Sequence, residues 1–137
     1  MISERKGNLA KHILMVDDKS IFCYSAAVAL KKEGYRVSTA RNGNDALEMI
    51  LRDRTIDLVL VDLLMPNMLS EELVHAIGEL AIATPIAIIS TWLDDEQISE
   101  LIKKGFAAFI DKQVEPQDFV KQVKMILQYC CKENARE

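Results

Sequence analysis

Cysteine is scarce in this chain of 137 residues: Cys23, Cys130 and Cys131 are the only three. An odd count with one adjacent pair supplies neither a disulfide framework nor zinc-ligand spacing. A reduced, cytoplasmic setting is therefore the expectation. No apolar run approaches the roughly 18 residues of a membrane span. The opening MISERKGNLAK lacks the apolar core of a secretory leader. It reads as a short, slightly basic arm over residues 1–10. Positive charge is not in excess either. The formal net charge is −4, which argues against direct nucleic-acid binding. What remains suits one globular domain, with half of the residues apolar and about a quarter charged. We place that domain over residues 11–131, with 132–137 as a tail or the start of a linker.

Hydrophobic periodicity organises the domain. HILMVD (His12 to Asp17) is an apolar run ending in acid, and SIFCYSAAVALKKEG then follows helical spacing to a stop at Gly34. YRVSTA is a strand candidate, and NGNDALEMILR a helix with Asn42 as its N-cap. LVLVD, PIAIIS and AAFID read as the remaining strands. SEELVHAIGEL, DDEQISELIKKG and EPQDFVKQVKMILQYC read as the remaining helices. Strand and helix thus alternate five times, and most strands are apolar on both faces. That pattern predicts an α/β fold, a doubly wound parallel five-stranded sheet with helices on both faces.

In such a sheet, ligands bind outside the carboxyl ends of the strands, where strand order reverses. Four of the five strand ends carry chemistry: Asp17-Asp18, Asp62, Ser90-Thr91 and Asp111-Lys112. The second strand ends in Thr39-Ala40 and is assigned to an edge. The order 2-1-3-4-5 then gathers Asp17, Asp18 and Asp62, with Ser90 and Lys112 on the flank. Three carboxylates in one crevice repel one another. A pair about 4 Å apart costs on the order of 1 kcal/mol in water and about 4 kcal/mol at an effective dielectric of 20. Such a cluster implies a cation or retained protons. Oxygen ligands alone suit Mg2+. A hydroxyl and an ammonium facing the metal make a pocket for a phosphoryl group.

At VDD, VDLLMP, IIST and FIDK the sequence resembles the receiver domain of two-component response regulators, over roughly Lys11 to Tyr129. The resemblance implies the flavodoxin-like (βα)5 fold and a mechanism carried over by position. Asp62 matches the phosphoryl acceptor. Asp17 and Asp18 match the acid pair that holds Mg2+, together with Asp62 and the backbone carbonyl of Leu64. Ser90 matches a switch hydroxyl, Lys112 the lysine that pairs with the phosphoryl group, and Phe109 the aromatic switch, although Phe109 also reads as plain core. The implied donor is a sensor histidine kinase or phosphotransfer protein. The implied output is a change in the face formed by the fourth helix, fifth strand and fifth helix, read by a partner or output domain, with a homodimer through that face as one form. The implied activity is signalling rather than enzymatic, apart from self-phosphorylation and autodephosphorylation.

The chain departs from the family pattern at Gln113, where proline is usual, and at Ser70, where glycine is frequent. The first departure leads us to expect a less rigid Lys112. Leu64 and Trp92 are large apolar residues flanking the family's route for hydrolytic water, and are expected to lengthen the life of the aspartyl phosphate. His12 and His75 read as a strand-start and a helix-surface residue. On the last helix, Phe119, Val123, Ile126, Leu127 and Cys130 form the inward stripe; Val120, Met125 and Tyr129 are left for a partner. Two rival functions are a phosphorylation-independent pseudo-receiver and a magnesium-dependent phosphatase with an aspartate nucleophile. The phosphatase pattern has a second acid two residues after the nucleophile, where this chain has Leu64. No glycine-rich phosphate loop follows the first strand, which disfavours flavin binding. The chain reads as a stand-alone receiver or a piece of a longer protein.

Overall fold

The computed structural model describes residues 10–17, 21–62, 70–80, 82–91 and 93–135. Its strands are β1 (His12–Val16), β2 (Arg36–Ala40), β3 (Ile56–Asp62), β4 (Ile86–Ser90) and β5 (Ala108–Asp111). Its helices are α1 (Ile21–Lys32), α2 (Gly43–Arg52), α3 (Ser70–Glu79), α4 (Asp95–Lys103) and α5 (Pro116–Ala135). The strands form one parallel sheet in the order β2-β1-β3-β4-β5, as the alternation of elements and the residues at the strand ends predict. The inner strands β1 and β4 are buried throughout. Edge strand β2 is mostly half-buried or exposed, in keeping with its more polar RVSTA.

Alternating residues divide the core in two, because successive side chains of a strand point to opposite faces. Ile13, Met15, Leu58 and Leu60 pack with Cys23, Ala26 and Leu30 of α1 and Phe119, Val123 and Leu127 of α5. Leu14, Val16, Val59 and Val61 pack on the other face with residues of α2, α3 and α4. Asn42 caps α2 as expected, its side chain accepting from the Asp45 amide. The cap of α4 is Asp94, in a reciprocal capping box with Gln97. Gly34 and Gly105 end α1 and α4 with φ of 96° and 113°, a left-handed conformation that glycine adopts without strain.

Two expectations for α5 change. Val120 is 6% exposed and belongs to the core beside α1, not to a partner surface. The buried stripe of α5 is wider than a single line because the helix meets both the sheet and α1. The helix also runs on to Ala135, through residues read as a tail. Met125 and Tyr129 are each 67% exposed, as their positions off the stripe predict. Among the described residues, no helix is long and apolar enough to cross a membrane.

Candidate functional site

Parallel pairing sets the carboxyl ends of the five strands along one rim. Asp17 follows β1, and its amide donates to the carbonyl of Ala40 at the end of β2, 3.0 Å away. Asp62 is the last residue of β3 and pairs in register with Ile89 of β4. Ser90 ends β4 opposite Asp111 of β5. Lys112 follows β5, and its amide donates to the Ser90 carbonyl at 2.9 Å. The ladder therefore continues one residue past the strands and fixes where the lysine side chain starts.

The Lys112 ammonium donates to Asp62 Oδ2 at 2.5 Å, with the side chains 21% and 15% exposed. A half-buried charge pair of this kind exchanges hydration for direct attraction. The Gln113 amide donates to Asp111 Oδ1 at 2.9 Å, which secures the chain just after the lysine. Lys112 is thus held at its backbone and at its tip.

Cys23, in the first turn of α1, reports on the same rim from below. Burial pushes its thiol pKa up; the carboxylates of Asp17 and Asp62 act in the same direction and Lys112 opposes them. Ser90 is 7% exposed, and its hydroxyl donates to the Thr91 carbonyl at 3.3 Å. Phe109 is half-buried against the core on the α4 side. With Leu93, Asp111 and Gln113 it lines a shallow cavity of about 300 Å³, so its ring has both a packed side and open space beside it.

The rim thus brings together Asp17, Asp62, Ser90 and Lys112, with Phe109 on β5, three residues before Lys112. Asp18, Leu64 and Trp92 lie outside the described residues. Among the described residues, no group of three or more His, Cys, Asp or Glu side chains is arranged as a metal site. The donors at the rim fit Mg2+ in kind, since that ion commonly takes one or two carboxylates and keeps several waters. Sequence reasoning missed Phe22, whose ring lies beneath the Lys112 ammonium. Its only signal in the sequence is helical periodicity, which points it inward without naming its neighbour.

Comparison with known proteins places the chain in a family. The family model described as the response regulator receiver domain matches residues 13–124. The two-component response regulator ORR3 of Oryza sativa subsp. indica is 29% identical over 109 residues, covering 78% of this chain and 83% of the relative. The transcriptional regulatory protein ZraR of Klebsiella oxytoca is 34% identical over 109 residues, which are 80% of this chain but 24% of ZraR. The CheY-like response regulator receiver domain protein of Methanospirillum hungatei JF-1 superposes with a TM-score of 0.79 at 28% identity, covering 90% of this chain and 98% of that one. The chain belongs to the response regulator receiver domains of two-component systems.

Proposed function

We propose that this chain is a phosphorylation-dependent switch whose acceptor is Asp62. The observation that carries the reading is the Asp62–Lys112 pair at the rim where Asp17 and Ser90 also end their strands. A carboxylate oxygen of Asp62 forms the new P–O bond. The P–N bond of a phosphohistidine donor breaks, and its electron pair leaves with the imidazole nitrogen; with acetyl phosphate the pair leaves with the acetate oxygen. Lys112 offsets negative charge on the transferred group, and the Ser90 hydroxyl donates to one of its oxygens. Asp17, Asp62, Asp18 and the Leu64 carbonyl would hold Mg2+, which supplies charge neutralisation between carboxylate and phosphoryl oxygens.

Surface chemistry supports two partner faces. On α1, Ile21 and Tyr24 are 86% and 74% exposed and Val28 is 38% exposed. Their spacing forms an apolar stripe beside the rim, suited to a kinase or phosphotransfer protein that must bring its phosphohistidine to Asp62. On the output side, Ile102 of α4 and Met125 and Tyr129 of α5 are exposed. Phosphorylation would change the populations of two packings of the α4-β5-α5 face, and a cytoplasmic partner or output domain would read the difference. The direct test is intact-protein mass after incubation with acetyl phosphate and Mg2+. The wild type gains one phosphoryl group, whereas Asp62→Asn gains none and chelation of the metal suppresses the gain. A wild type of unchanged mass removes the reading and leaves a phosphorylation-independent binding module.

A further inference from the structure

The Lys112 ammonium has a second neighbour besides the carboxylate: the ring of Phe22, with its centroid 5.5 Å away. That lies inside the reach of about 6 Å over which an aromatic face attracts a cation. Phe22 belongs to the first turn of α1 and is itself braced. The ring of Phe119, in the first turn of α5, meets it edge to face, with centroids 5.4 Å apart and planes at 89°. Edge-to-face packing of this kind is favourable beyond the area it buries. Phe119 is 1% exposed, and Phe22 packs against the same core. The two rings therefore form a fixed floor that joins α1, α5 and the end of β5.

A lysine side chain is long and flexible, and its ammonium is strongly hydrated. Carrying it to Asp62 means ordering the stem and removing part of that hydration. An aromatic face compensates for lost water without offering an acceptor that would compete with the carboxylate. We propose that Phe22, braced by Phe119, is a positioning residue that holds the Lys112 ammonium on the Asp62 carboxylate. Its effect on transfer rests on Asp62 being the acceptor; the contact between ring and ammonium does not.

Two substitutions separate ring from bulk. Phe22→Leu keeps an apolar side chain without an aromatic face, and Phe22→Tyr keeps the ring. In the proton NMR spectrum the ε-methylene of Lys112 should be displaced upfield in the wild type and in Phe22→Tyr, and return to an ordinary position in Phe22→Leu. The rate of mass gain from acetyl phosphate should fall about 3- to 10-fold in Phe22→Leu and recover in Phe22→Tyr. In a Lys112→Ala background, Phe22→Leu should cost nothing further, a coupling that a merely structural role would not produce. An undisplaced Lys112 methylene in the wild type, or an equal loss with and without the lysine, overturns the proposal. If the wild type gains no mass at all, the acceptor reading fails, and the NMR comparison alone decides the role of Phe22.

Discussion

Asp62 follows four residues, Leu58 to Val61, that solvent does not reach, and the Lys112 ammonium meets it at 2.5 Å. The sequence shows both partners because each interrupts a strand pattern: a charge closing an apolar run needs a reason, and parallel topology supplies a common rim. Phe22 was not legible in this way. An aromatic residue on a helix obeys the same periodicity whether it meets leucine or lysine, and its neighbour depends on how α1 and α5 pack together. Leu64 and Trp92 remain expectations from sequence. On the proposed reading they shield the aspartyl phosphate from water. Leu64→Asn and Trp92→Glu should each shorten its half-life about ten-fold, equivalent to roughly 1.4 kcal/mol of barrier, as followed by decay of the phosphorylated mass. Unchanged half-lives in both variants would discard the shielding role.

Helices follow their caps more closely than their stripes. Asn42 and the acid-rich start of α4 mark two helix origins in the sequence, since unsatisfied amides need side-chain acceptors. How much of a helix is buried is a property of its neighbours, and there the reading of α5 went astray. Val120 faces α1, and Lys124 of α5 pairs with Glu33 just beyond α1 at 3.2 Å. Met125 and Tyr129 project from the remaining surface. If the α4-β5-α5 face mediates a dimer after phosphorylation, beryllofluoride with Mg2+ should shift sedimentation of the wild type toward a dimer. Tyr129→Asp should then weaken association about ten-fold or more, since tyrosine is a frequent interface anchor. Sedimentation that ignores beryllofluoride rules this dimer out.

Across the whole molecule, the sheet has two ends with different tasks. The charged rim holds the candidate chemistry, while the opposite end is tied by His12, a residue the sequence presents as an ordinary strand start. Its imidazole is buried, with Nδ1 3.2 Å from Thr55 Oγ1 and Nε2 2.7 Å from Ser38 Oγ. The Thr55 hydroxyl donates to Asp53 Oδ1 at 2.6 Å. Nδ1 therefore donates to Thr55, and Nε2 accepts from Ser38. A proton on Nε2 would reverse that bond, with the Ser38 hydroxyl turning to accept. Burial first, and then Arg36, lower the His12 pKa below its ordinary 6.5; Asp53 and Asp57 pull the other way without prevailing. The unfolded chain therefore takes up the proton before the folded one does. This contribution to stability is complete above about pH 6.5 and declines as pH falls below it. The urea midpoint of the wild type should drop between about pH 7.5 and about pH 5, and His12→Gln should flatten that segment. Parallel pH profiles for the two proteins would exclude His12 as the cause.

Strand order was legible because an edge strand may be polar and may end without chemistry, as β2 does. The bond from the Lys112 amide to the Ser90 carbonyl limits how the proposed switch can work. That bond ties the two main chains side by side just past the ends of β4 and β5. In the proposed switch the hydroxyl of Ser90 would then reorient by torsion about its own Cα–Cβ axis, with that backbone bond kept.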